Sequence, residues 1–431
     1  MSFVVIRTMK KVLIGALAVA MAVQSAFVIP DAVFGVEEAP TDETNYVENQ
    51  LIVTFKDNVN NKEAANIVAF AVSEELIREN RGNVPSIAEL KALNTLRKIK
   101  IEKNVMLVKL GVSLDEMTVA EEIEKNPDVE TAQPNYCYEA ITGSKTAAGT
   151  DQRKTEQWYL DYIDAPEAWK LIEQNKKKSG KAGGKTVTVA YLDGRGVMKA
   201  ADKQSYEMSV IDTVTGGNKG IVKPIAVDVS GGESNRTQQS VTTTADIIAG
   251  MDYACNHNAR IITMCFGRRG YDAALERKVN WAAKEGVLII APAGDGGSTD
   301  AWYPSDYDSC LSCINTNQYK DAYSTACRNE TSNYGDKKDI SAPGTSINAA
   351  DEKNNAISGT GTSYAAAVVT AAAAMVMYTD PKLPASKVKD LLVDTANDIS
   401  VTGYDVYTGY GNVNAYKAVA KAAGVKVSNH D

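Results

Sequence analysis

Polar and apolar residues alternate through Asn49-Gln50-Leu51-Ile52-Val53-Thr54-Phe55, the period-two pattern of a strand. The spacing then predicts a helix over Lys62–Glu79, a strand over Val105–Leu110 and a helix over Thr118–Lys125. An extended segment, Asp128–Tyr136, closes this block. Together these predict a small α+β domain of about a hundred residues. Between Thr142 and Thr155 small and polar residues displace the apolar pattern, which predicts a linker. From Gln157 the pattern changes to continuous apolar runs at Thr186–Leu192, Val222–Val229, Arg260–Cys265 and Val287–Ala291. Helices fall between them: one over Ala245–Ala254 with threonines before it as caps, one along Leu275, Val279, Ala282 and Ala283 that stops at Gly286. Apolar strands separated by helices predict an α/β fold with a doubly wound, mainly parallel sheet covered on both faces.

The chain begins with a different pattern. Arg7, Lys10 and Lys11 precede an apolar run, Val12–Val23, and then Gln24-Ser25-Ala26, as in a secretory signal peptide. Apolar character returns at Phe27-Val28-Ile29, which is the argument for an anchor. Pro30, Asp31 and the acidic stretch Val36–Glu43 favour cleavage, after Ala26 or near Gly35. The expectation is an exported chain with no stable membrane span after removal of residues 1–35.

With 431 residues and 44% hydrophobic positions, the chain can bury a large core, which excludes global disorder. A net charge of −8 argues against a nucleic-acid surface. Six cysteines in an exported chain permit 15 disulfide connectivities, and the sequence chooses none of them. Cys310 and Cys313 lie three apart on an expected strand, facing opposite ways at roughly 10 Å, so they read as buried small residues. Only two histidines occur, His257 and His430, which excludes a multi-histidine metal site.

Gly359-Thr360-Gly361-Thr362-Ser363-Tyr364-Ala365-Ala366-Ala367 leads into an alanine-rich helix reaching Tyr378. Glycines before a serine at a helix start allow a tight turn that projects the hydroxyl. The helix N-terminus favours negative charge developing nearby. Alone, such a turn is more often an N-cap than a nucleophile.

Other segments change that weighing. Gly361-Thr362-Ser363-Tyr364-Ala365-Ala366 resembles the nucleophile motif of the subtilase (subtilisin-like serine peptidase) family, with Ala367 in place of its proline. Val189–Gly194 resembles the strand ending in the triad Asp, here Asp193. Gln157-Trp158 with Ala165–Trp169, Ile262–Gly267, Ser332–Gly335, Ala342-Pro343-Gly344 and Gly409–Ala415 are similar to further family segments. The block before residue 140 resembles the family's inhibitory propeptide. The resemblance covers about Asn49 to Val427. It implies a signal peptide over 1–35, a propeptide-like domain over 45–140, a linker over 141–156 and a subtilisin-like peptidase domain over 157–427. Calcium sites are common in the family; no ligand set matches one here, and no cofactor is assigned.

The resemblance departs from the family where the chemistry needs it. The family's triad His falls in the interval Gly194–Gly220, which holds no histidine. Tyr206 stands at its position, to within one residue, and a phenol with pKa ~10 is a poor base near neutral pH. His257 precedes a strand, at the edge of the sheet opposite an active site, and His430 is penultimate. Asp295 occupies the oxyanion position usually held by Asn; ionised, it accepts hydrogen bonds and repels an oxyanion.

Two readings follow. In the first the chain is a pseudopeptidase: a secreted subtilase homologue that keeps a peptide groove, filled by a peptide or protein segment such as its own residues around Asn135–Glu139. In a subtilisin, loss of the base costs about 10⁶ in turnover. In the second it is an active serine endopeptidase with Ser363 as nucleophile, Asp193, and a non-His base. Sedolisins, which share the fold, use Ser with Glu and Asp and an oxyanion Asp; Glu207 and Asp295 fit that pattern. Ile211 stands where their pairing Asp belongs, and Glu207 reads as a solvated helix residue. The first reading is preferred.

Overall fold

The computed structural model describes residues 46–426, apart from 80–96, 103, 111–113, 142, 148–156, 180–183, 196–204, 218–219, 232–241, 319–326 and 351–355. The signal-peptide segment, most of the expected linker and His430 lie outside the described residues. The chain divides into two units, one reaching Cys137 and taking in residues 243–249, the other comprising most of the chain from Tyr138 onward.

In the first unit, strands β1 (Tyr46–Phe55), β2 (Arg97–Glu102), β3 (Val105–Lys109) and β4 (Val129–Ala140) stand in the order β4-β1-β3-β2. The pairings are antiparallel, with Val53 opposite Met106 and Ala132. Alternation along β1 directs Leu51, Val53 and Phe55 to one face. There they join Val68 and Val72 of α1 (Asn61–Glu79) and Ile123 of α2 (Glu116–Glu124) in one apolar cluster. Asp115 caps α2 by accepting the Thr118 N–H at 2.7 Å.

The second unit opens with the end of β4, then β5 (Ser144–Ala147), α3 (Trp158–Tyr162) and α4 (Ala165–Ser179). β5 lies inside the tract expected to be a linker; it pairs with β15, so that part of the tract is a strand. Next come β6 (Val187–Asp193), α5 (Tyr206–Val214), β7 (Val222–Asp228), β8 (Thr242–Thr243), α6 (Thr244–Asn256), of which residues 243–249 belong to the first unit, β9 (Ile261–Met264) and β10 (Phe266–Gly267). Then follow α7 (Ala273–Lys284), β11 (Leu288–Pro292), β12 (Cys310–Thr316), β13 (Ile340–Pro343), β14 (Ile347–Ala350) and β15 (Ala356–Thr360). Helices α8 (Thr362–Thr379), α9 (Ala385–Asp394) and α10 (Ala415–Ala422) complete the unit.

The six-stranded sheet runs β13-β12-β11-β9-β6-β7, every pair parallel. The fold is the expected doubly wound α/β architecture. Strand order reverses between β6 and β9, and sites of such sheets gather at carboxyl strand ends beside that reversal. Asp193 is the last residue of β6. α8 is long and apolar enough to cross a membrane, yet 94% of it is buried in the protein. Its alanines let the sheet and neighbouring helices approach closely, so it is a core helix. Cys310 and Cys313 are both buried on β12 with free thiols.

Candidate active site

The end of β6 carries a buried ion cluster. Arg195, two residues past Asp193, folds back so that its Nε donates to Asp193 Oδ1 at 2.8 Å, and its backbone N–H donates to the same oxygen at 3.1 Å. The Arg195 Nη2 donates to Glu207 Oε2 at 2.9 Å and to the Tyr191 hydroxyl at 3.1 Å. Side-chain exposure is 7% for Arg195 and 0% for both carboxylates. The guanidinium therefore bridges two acids inside the protein. Burial raises the Asp193 carboxyl above its usual range, and Arg195 opposes that rise. Glu207 is thus not the solvated residue that its position in a helix first turn suggested; it faces inward and is ion-paired.

Tyr206 opens α5 behind the cap supplied by Ser205, whose Oγ accepts the Met208 N–H at 3.2 Å. It is fully buried, with Arg195 Cζ 4.4 Å and Lys145 Nζ 3.8 Å from its ring centroid. The Arg195 charge favours the phenolate, but it is outweighed. Burial first, and then Glu207, pushes the phenol far above its ordinary pKa. At neutral pH Tyr206 is a proton donor rather than a base. Its other neighbour is Tyr364, stacked at 4.6 Å between centroids, and this contact joins the ion cluster to the start of α8.

Ser363 lies in the first turn of α8, fully buried, and its Oγ has no hydrogen-bond partner among the described residues. Gly361 is the N-cap residue and has no side chain to cap with. Asp295 performs that task instead: its Oδ1 accepts the Thr362 N–H at 2.8 Å. Burial raises the Asp295 carboxyl, and Thr362 lowers it. A Cβ on Gly361 would stand 2.8 Å from Asp295 Oδ2 and 2.9 Å from Gly143 Cα, so only glycine fits. His257, at the far end of α6, stacks on Tyr253 at 3.9 Å, with its Nδ1 2.8 Å from the Tyr253 carbonyl.

The chain itself runs past this place. Glu139 and Ala140 pair antiparallel with Gly267 and Phe266, and the Ile141 N–H donates to the Cys265 carbonyl at 2.9 Å. Ser144 and Lys145 pair with Thr360 and Gly359. Between the two ladders, Gly143 sits at positive φ against Thr360 and Gly361. Residues 139–141 thus line β10 and residues 143–145 line β15, alongside the start of the Ser363 helix. The residues paired with β10 come at the end of, and just after, the stretch Asn135–Glu139 expected there.

Asp193, Tyr206 and Glu207 are thus gathered through Arg195, while Ser363 and Asp295 meet at the α8 N-terminus. Sequence reasoning missed Arg195. An arginine two residues after a strand-terminal acid was the available signal, but its second partner lies twelve residues on and is found only through the fold.

A doubly wound α/β sheet with a serine at a buried helix start, beyond the strand order reversal, is the class that fold and site define. A family model described as the subtilase family matches residues 212–411, a stretch that holds Asp295 and Ser363 and begins after Asp193, Arg195, Tyr206 and Glu207. A thermophilic serine proteinase of Bacillus sp. (strain AK1) is 26% identical over 393 residues, covering 87% of this chain and 88% of that protein. Thermitase of Thermoactinomyces vulgaris is 32% identical over 182 residues, 42% of this chain and 61% of that protein. The crystal structure of fervidolysin from Fervidobacterium pennivorans superposes with a TM-score of 0.63 at 18% identity, covering 88% of this chain and 62% of that one. The chain is thus similar to the subtilase family over residues 212–411.

Proposed function

We propose that this subtilase-like chain is an exported pseudopeptidase: it retains the peptide groove, holds its own segment there and does not turn over peptide bonds. The observation that carries the reading is Arg195. A serine hydroxyl needs a base within hydrogen-bond reach, held in place by the acid behind it. Here the Asp193 carboxylate is committed to a guanidinium, which has no acceptor and cannot take a proton. Tyr206, the residue at the position of the missing histidine, stays protonated. Asp295 presents a carboxylate where the family uses an amide donor, so a developing oxyanion meets like charge.

Without a base, self-cleavage beside Ser363 does not occur, and the segment Glu139–Lys145 remains a continuous occupant of the groove. A tethered strand acts at about millimolar effective concentration, so weak free peptides do not displace it. Intact-mass analysis of full-length protein expressed alone in a protease-deficient host tests this. The expected product carries no break between residues 136 and 155. A clean break there that disappears in Ser363→Ala contradicts the proposal.

The burial of Glu207 beside Tyr206 favours a second reading, in which Glu207 is the base of a sedolisin-like enzyme. That reading requires Glu207 to release Arg195. It is recognised by hydrolysis confined to about pH 3–5, where a carboxylate base belongs, and lost in Glu207→Gln.

A further inference from the structure

A cavity of about 280 Å³, beside the chain segments that lead into β12 and β13, is lined by three lysine–aspartate pairs of unequal burial. Lys337 meets Asp308 at 2.8 Å with side chains 58% and 86% exposed, and Lys389 meets Asp339 at 3.2 Å, partly exposed. Lys338 Nζ touches Asp306 Oδ1 with side chains only 1% and 7% exposed. The carboxyl is oriented from its other side, where Asp306 Oδ2 accepts the Trp302 N–H at 3.0 Å. Burial lowers the Lys338 pKa from its ordinary value, and Asp306 opposes that fall. A lysine so desolvated gains in its free-amine form, which is the nucleophile. All six cysteines are free, so no disulfide ties these strands together.

We propose that the Lys338 amine and the Asp306 carboxyl condense to an isopeptide bond once the chain has folded, a covalent staple between the segments entering β12 and β13. These strands are parallel neighbours, so the staple closes the span from 306 to 338 across one step of the sheet. The step balances without a co-reactant. A proton passes from the ammonium to the carboxylate, and the amine nitrogen then attacks Asp306 Cγ. The N–C bond forms as a C–O bond breaks, and the departing oxygen carries away two of the three ammonium hydrogens as water. In bulk water, ionisation of both partners opposes this reaction. Burial penalises the ionised pair, and holding the partners in contact supplies an effective molarity of up to about 10⁵–10⁸ M. The adjoining cavity gives the released water a way out. Lys337 and Lys389 do not react, because their more exposed pairs stay ionised in solvent.

The test is mass spectrometry of a tryptic digest of the full-length chain, purified folded and then denatured. The expected product is a branched peptide, one water lighter than its two parts, joining residues 285–320 to residues 338–353 through Asp306 and Lys338. Trypsin should leave the bond after Lys338 uncut in that product, and the branched form should account for most of the Lys338 recovered. It should vanish in Lys338→Met and in Asp306→Ala. Recovery of Lys338 and Asp306 only in separate, unmodified linear peptides overturns the proposal. So does a water loss confined to a single peptide, or a branched peptide that persists in both variants. Fragmentation of the branched peptide from the unaltered chain locates the bond by itself, so a variant that fails to fold does not remove the test.

Discussion

Arg195 joins two acids that would otherwise be buried together, and removing one member of such a cluster is costlier than replacing all of it. Arg195→Met should destabilise the protein by about 3–5 kcal/mol near pH 7, measured by urea unfolding. The pH dependence has a definite sign. An acid whose folded pKa is raised loses stability as pH climbs from its ordinary range through the folded value. Asp193 is such an acid already, and without Arg195 its folded pKa rises further. The deficit of Arg195→Met should therefore shrink as pH falls from 7 toward about 4; a deficit independent of pH counts against a charge-neutralising role. Asp295 behaves similarly, raised by burial. Asp295→Asn keeps an acceptor for the Thr362 N–H and removes the charge, so its melting temperature should exceed the parent's at pH 7. That advantage fades on acidification. Tyr206→His alone should stay inactive in peptide-hydrolysis assays, because Arg195 still occupies the carboxylate that a histidine needs; activity in that single variant contradicts the account.

At the level of elements, β15 and α8 meet with little clearance. A Cβ on Gly359 would fall 1.8 Å from the Tyr364 hydroxyl, and Tyr364 is pinned by its stack on Tyr206. Gly359→Ala should cost about 1–3 kcal/mol by overpacking, read from the denaturation midpoint. The elements themselves were largely legible. β1, β6, β9 and β11 are unbroken or alternating apolar runs, and α7 ends where Gly286 adopts positive φ, as its sequence position indicated. β5 was not legible: Ser144-Lys145-Thr146-Ala147 has no strand pattern of its own and becomes a strand because β15 offers an edge. Glu207 was misplaced for a related reason. First-turn acids are usually solvated, and only the fold brings Arg195 within reach of this one.

Over the whole molecule, the alternation of apolar strands and helices was enough to give the doubly wound sheet, and the reversal between β6 and β9 puts Asp193 at the edge where such sheets place their sites. The position of Ser363 and the lack of histidine between residues 194 and 220 were also visible in the sequence. The ion pairs and the stacking around Tyr206 were not, because burial, stacking and the second carboxylate belong to tertiary structure. The central claim is that Ser363 has no working base. Fluorophosphonate labelling of the purified full-length chain, read by mass at Ser363 from about pH 3 to 8, tests it most directly, since a carboxylate base declares itself at acid pH and an imidazole-like one near neutrality. The account predicts no labelling at any pH; labelling that is abolished by Ser363→Ala contradicts it.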